Sequence, residues 1–155
     1  MHHTMLTSLK VLCGGLIALA MASSAAQTGT GKEAIATKGA PDAIGPYSQA
    51  IKLGQTMYLA GPLAIDPKTN QLIPGAIEEQ AKQVLDNLKA VLAAGGMTLD
   101  DVVATTVYVK DLNDFAKLNA VYATYFKDKP PARATVQVAR LPKDALVEIS
   151  AIAAK

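Results

Sequence analysis

Seven apolar side chains between residues 77 and 92 recur at helical spacing: Ile77, Ala81, Val84, Leu85, Leu88, Val91 and Leu92. They make one stripe along a helix predicted over Ala76 to Ala94. Glu78 and Glu79 complement the dipole at its start, and Gly95-Gly96 supplies its stop. A stripe of this length demands an apolar surface to lie on, and the flanking segments read as strands. Val102 to Val109, rich in β-branched residues, reads as a central strand. Ser48 to Leu53 and Thr56 to Ala60 are strand-like, with Gly54-Gln55 as a hairpin turn. Asp66 to Asn70 is a loop by composition. A second helix runs from about Asn113 to Phe126, with Phe115, Leu118, Tyr122 and Tyr125 or Phe126 on its apolar side. Asp111 or Asn113 caps it, and Pro130-Pro131 forbids its continuation. Arg133 to Val138 and Leu146 to Ala153 are the closing strands. In the last, Val147, Ile149 and Ala151 share one face, while Glu148 and Ser150 point the other way. The order is strands, helix, strand, helix, strands, with no internal repeat and no interdomain linker. It predicts one α+β domain, a single sheet with two helices packed on one face.

The length, 155 residues, suits one domain. Half the chain is hydrophobic and its net charge is only +2, which argues against disorder and against nucleic acid as the main partner. The one cysteine is Cys13 and the histidines are His2 and His3. If that leading segment is removed, no thiol and no imidazole remain. A Cys/His zinc site, a Ser-His-Asp triad, a cysteine nucleophile and a disulfide are then excluded. What remains for chemistry is carboxylates, Arg, Lys, Tyr, hydroxyls, backbone groups and water.

Residues 1–26 have the layout of a secretory signal peptide: a polar start with Lys10, an apolar run from Val11 to Met21, then Ala22-Ser23-Ser24-Ala25-Ala26. Cleavage after Ala25 or Ala26 fits best, giving an exported, periplasmic or secreted protein. The apolar run is shorter than the roughly 20 residues a bilayer span needs. The rival readings are a lipoprotein signal using Cys13 and a retained anchor. Residues 27–32 are Gly/Thr-rich and read as a flexible segment before a domain over 33–155. Gly29-Thr30-Gly31-Lys32 fails as a phosphate loop, because Glu33 stands where Ser or Thr should bind magnesium and Ala26 where the leading Gly should be.

Three polar residues carry two readings each. Arg133 opens a strand after Pro130-Pro131-Ala132. It is either a fixed clamp for a carboxylate, held by two parallel hydrogen bonds, or a surface side chain in a loose ion pair. Glu148, mid-strand among apolar neighbours, either positions a water and shares a proton or lies on a solvated sheet face. Tyr47, in the turn Ile44-Gly45-Pro46-Tyr47, either offers its hydroxyl to a ligand or packs.

Together these residues fall in a longer pattern. Residues 131 to 149 read Pro-Ala-Arg-Ala-Thr-Val-Gln-Val-Ala-Arg-Leu-Pro-Lys-Asp-Ala-Leu-Val-Glu-Ile. This resembles the signature of the RidA (YjgF) family of reactive-intermediate deaminases. Residues 40–50, Leu85-Asp86-Asn87-Leu88, Thr105 to Val109 with Lys110 to Phe115, and Ala139 to Pro142 also match that family's pattern. The resemblance covers about residues 33 to 154. It implies a chorismate-mutase-like α+β fold, a homotrimer and ligand sites in clefts between subunits. It implies hydrolysis of short-lived enamines and imines such as 2-aminoacrylate to 2-keto acids and ammonia, with no metal and no organic cofactor. By the same resemblance, Arg133 clamps the substrate carboxylate and Glu148 holds or activates water. Tyr47 lines the pocket, Gly61 lets backbone approach the ligand, and Thr135 contributes to substrate binding. The alternative on the same scaffold is a chaperone or a small-acid binding protein without turnover.

The chain departs from the family pattern at three places. Thr135 replaces a frequent Cys, which removes thiol chemistry there. Ala60-Gly61-Pro62 replaces Ser-Gly-Gln, with loss of a hydroxyl and a backbone donor, and so points to a changed substrate range. Ser150 stands where several relatives have a second Glu.

Overall fold

The computed structural model describes residues 31–155. The expected signal peptide and residues 27–30 lie outside them. Two helices, α1 (Ile77–Ala94) and α2 (Phe115–Tyr125), pack on one face of a six-stranded mixed sheet. The strands are β1 (Lys32–Ile35), β2 (Ala50–Leu53), β3 (Thr56–Leu59), β6 (Val102–Val109), β7 (Ala132–Gln137) and β8 (Val147–Ala154), in the order β1-β2-β3-β8-β6-β7. Only β6 and β7 run parallel, joined by the α2 crossover. A separate ribbon pairs β4 (Ile65–Asp66) with β5 (Gln71–Leu72).

The predicted elements form within a residue or two of their expected bounds. α1 starts where Glu79 Oε2 accepts from the Ala76 N–H at 2.9 Å. It ends at Gly95, after which Gly96 takes φ +76°, a left-handed turn that glycine adopts without Cβ strain. Asp111 caps a short 3₁₀ turn over 112–114 that leads into α2, accepting from Asn113 N–H at 2.8 Å. β1 was not foreseen. Lys32, expected in the flexible segment, is its first residue, because β1 pairs with the β2 edge in the register Lys32 to Leu53. Residues 67–70 form the loop that joins the two strands of the small ribbon, while Asp66, expected in that loop, is the last residue of β4 because it pairs with Gln71.

The stripe on α1 is fully used. Val84, Leu85, Leu88 and Leu92 are buried together with Val107, Ile149 and Ala151 from the sheet. Burying an aliphatic side chain of this size contributes about 1.5–3 kcal/mol. Three amide side chains then tie the connecting segments to this core. Asn87, buried on α1, donates to the Leu63 and Ile65 carbonyls at 3.0 and 2.9 Å. Gln80, also buried, accepts from Leu146 N–H at 2.8 Å, just before β8. Gln49 accepts from Thr37 N–H at 2.6 Å and donates to the Pro41 carbonyl at 2.6 Å, holding the loop that leads to Tyr47.

Candidate active site

Glu148 stands on the face of β8 turned away from the helices, because Val147 and Ile149 on either side are buried in the core. It is half-buried, and desolvation holds its carboxyl above the ordinary glutamate range. Its neighbour is Gly61. A Cβ on Gly61 would come within 2.5 Å of Glu148 Oε1 and 2.7 Å of its Cγ. Only a glycine lets this backbone lie against the carboxylate. Gly61 follows β3 and precedes the segment that Asn87 holds, so α1 fixes one side of this contact. Gln80, at the entry to β8, helps fix the other.

Gly61 also borders an apolar cleft at the end of β3, lined by Leu59, Leu63, Leu88 and Val91 and covered by residues 40–47. Tyr47 lies in the same cleft lining and is 51% exposed. Its hydroxyl accepts from Ile44 N–H at 3.3 Å, which closes the turn predicted from Gly45-Pro46. Gly61 thus lies against Glu148 and shares a cleft lining with Tyr47.

Arg133 and Thr135 are elsewhere. Arg133 lies in register with Thr105, which faces the helices. Its guanidinium stands over the Tyr122 ring at 4.6 Å and the Phe115 ring at 5.6 Å, and donates to Asn119 Oδ1 at 2.8 Å. All three partners belong to α2. No ion pair within the described residues engages it. Tyr122 is itself anchored by a 2.8 Å hydrogen bond with Thr105, and burial pushes its hydroxyl above the ordinary phenol range. Thr135, two residues along the same face of β7, has a buried Oγ1 with no hydrogen-bond partner. Glu148, in contrast, shares a row with Tyr108 and Val136 on the opposite face. Within one chain, therefore, the guanidinium and the carboxylate lie on opposite faces of the sheet and do not meet.

The supporting residues Asn119, Tyr122 and Gln80 carry no functional signal in the sequence, while Asn87 and Phe115 lie in stretches of the family resemblance that assign them no role. Tyr122 is visible only as a packing position on a helix. The role of Phe115 and Tyr122 depends on α2 lying beside the edge strand that carries Arg133. Among the described residues no group of three or more His, Cys, Asp and Glu is placed to hold a metal ion, and no helix is long and apolar enough to cross a membrane.

The same fold recurs in known proteins. Residues 37–155 match the family described as endoribonuclease L-PSP. A RutC family protein of Pyrococcus horikoshii is 57% identical over 124 residues, covering 80% of this chain and 98% of its own length. The 2-iminobutanoate/2-iminopropanoate deaminase of Escherichia coli is 49% identical, over 78% of this chain and 96% of its own. The crystal structure of RidA from an Antarctic Psychrobacter superposes with a TM-score of 0.77 at 47% identity, covering 79% of this chain and 99% of its own. With a fold, a family match and identities of this extent in agreement, the chain belongs to the RidA (YjgF) family.

Proposed function

We propose that this protein hydrolyses reactive enamines and imines bearing a carboxylate to 2-keto acids and ammonia, at sites completed by two copies of the chain. The observation that carries the reading is the Glu148 carboxylate, half-buried against Gly61 beside an apolar cleft. Relatives at 48–49% identity from mouse, rat and Escherichia coli bear the name 2-iminobutanoate/2-iminopropanoate deaminase, which supports the same chemistry here.

In this scheme Arg133 takes the substrate carboxylate with two parallel hydrogen bonds. Its place over two aromatic rings restricts the fork to one orientation. An enamine takes a proton from solvent at Cβ and becomes the iminium, whose C2 is already electrophilic. Water held by Glu148 adds to C2, and its proton passes to the carboxylate. That proton returns to nitrogen; the C–N bond then breaks as Glu148 takes the proton of the new hydroxyl, and ammonia leaves the 2-keto acid. The raised pKa of Glu148 suits a group that accepts and then returns a proton. No stronger nucleophile is required; orientation alone supplies several kcal/mol of barrier lowering.

Because Arg133 and Glu148 lie on opposite faces, one copy provides Tyr47, Gly61 and Glu148, and its neighbour provides Arg133 and Thr135. The open face of the sheet suits such a neighbour. Ala34, Ile51, Tyr58, Ile152, Ala104 and Ala132 form an apolar row across all six strands. A homotrimer is the assembly this reading adopts. Export belongs to the same proposal, since residues 1–26 have the features of a cleaved signal; a mature N-terminus near Gln27 in the producing cells is the expected result.

The test is a coupled assay. An amino-acid oxidase generates imino acids while semicarbazide competes for them, and the protein is added as wild type or Arg133→Ala. Wild type speeds keto-acid release and suppresses semicarbazone, and the variant loses this effect. Absence of acceleration across a panel of imino acids sinks the deaminase reading.

A further inference from the structure

We infer that Gln49 is a positioning residue for the proposed hydrolysis, because its side-chain amide latches the Tyr47-bearing loop to the strand end that leads to Gly61. This rests on the deaminase reading and adds to it a residue that touches no substrate.

Residues 37–47 contain no helix and no strand, and only Ala40 among them is buried. Packing therefore does little to hold the loop. The Tyr47 ring is half-exposed and lies back on Gly45, where a Cβ would come within 3.3 Å of it. The Tyr47 hydroxyl accepts from Ile44 N–H at 3.3 Å, so its own proton stays free to be donated. Both contacts are internal to the loop. The direction of Tyr47 is then set by how the loop as a whole is held.

Among the described residues, every hydrogen bond that leaves this loop ends on the Gln49 side chain. Its Oε1 accepts from Thr37 N–H at 2.6 Å. Its Nε2 donates to the Thr37 and Pro41 carbonyls at 3.1 and 2.6 Å, and reaches the Ala40 carbonyl at 3.4 Å. A group with both an acceptor and donors is needed here, and a primary amide supplies it. The ion pair inside the loop, Lys38 with Asp42 at 3.0 Å, is exposed on both sides and contributes little. The backbone of Gln49 is tied the other way. Its carbonyl accepts from Ala60 N–H at 3.0 Å, one step beyond the β2–β3 pairing of Ala50 with Leu59. Ala60 is followed by the glycine that lies against Glu148. One residue thus couples the Tyr47 loop to the carboxylate side of the candidate site.

The experiment is a double-mutant cycle on the full chain, with kcat/KM for imine hydrolysis measured in wild type, Gln49→Leu, Tyr47→Ala and the double variant. Gln49→Leu should lose about 10–100-fold when Tyr47 is present, the usual effect of a misplaced contact. On the Tyr47→Ala background it should lose less than about twofold, since the two act as one unit. Gln49→Asn keeps the amide but is a methylene too short to reach both sides of the latch. It should behave like Gln49→Leu, and it replaces that variant in the cycle if the leucine protein does not fold. A purely structural role would lower kcat/KM equally on both backgrounds, so equal losses overturn the inference, as does wild-type activity in both Gln49 variants. Hydrogen exchange over residues 37–47 should quicken about tenfold in either variant while β2 and β3 stay protected. Unchanged exchange overturns the inference as well. If wild type hydrolyses no imine, the deaminase reading falls and takes the inference with it; hydrolysis by wild type with equal losses on both backgrounds removes the inference alone.

Discussion

Two adjacent rows cross the same six strands and meet opposite fates. One row runs Ile35, Ala50, Leu59, Ala151, Thr105, Arg133 and lies under the helices. Its first five residues are buried, and at the β7 edge it emerges as a guanidinium stacked on α2. The other row runs Ala34, Ile51, Tyr58, Ile152, Ala104, Ala132 and faces away from the helices. Tyr58 is 49% and Ile152 37% exposed. Both rows are built mainly of apolar residues, yet only one is covered within the chain. The proposed assembly of several copies would cover the open one. The two halves of the candidate site are divided in the same way, with Arg133 on the covered side and Glu148 on the open side.

The sharpest test of this division removes the open-face carboxylate. Glu148→Gln should lower turnover by about 10²–10⁴-fold, the usual contribution of a positioned acid–base group. Keto-acid affinity, which the proposed function assigns to Arg133, should stay within a few-fold. Parallel loss of binding and turnover would show that the two halves do not act separately.

Next comes the asymmetry of burial along β8. Ile149→Ala, on the covered face with no exposed surface, should cost about 2–5 kcal/mol in urea unfolding. Ile152→Asp, on the open face, should leave the fold intact and shift the chain toward smaller species in sedimentation. Equal destabilisation by both would contradict the contrast between the faces.

Smaller effects refine the covered half. Tyr122→Phe removes the hydrogen bond to Thr105 but keeps the ring under Arg133. Stability should fall by roughly 1–3 kcal/mol, since Thr105 is left buried and unpaired. Its KM should change by less than that of Tyr122→Leu, which removes the ring as well.

The smallest effect is in pH. Because burial raises the Glu148 pKa in the folded state, its contribution to stability is fully present below the unfolded pKa. That contribution is lost as pH rises through the higher folded value. Wild type should therefore lose thermal stability relative to Glu148→Gln as pH moves from acidic toward neutral, and the two curves should run parallel beyond it. Turnover runs the opposite way, rising as Glu148 ionises.

Much of this was legible beforehand. The 3.6-residue stripe on α1, the β-branched run of β6 and the alternation along β8 each depend on local periodicity, which a linear sequence displays directly. So does the outward direction of Glu148, since neighbours on a strand point to opposite faces. β1 was missed because Lys-Glu-Ala-Ile is polar and short, and it becomes a strand only by adding to the β2 edge.

The candidate site divides along the same line. The sequence by itself named the candidates: Tyr47, Gly61, Arg133, Thr135 and Glu148 stand out by type and by family pattern. Only the tertiary structure decided which of them meet. It set Gly61 against Glu148, placed Asn119 and Tyr122 beside Arg133, and left Arg133 and Glu148 on opposite faces. The physical reason is that these contacts join residues far apart in the chain. They depend on strand register and helix placement, and those are fixed by packing the whole core.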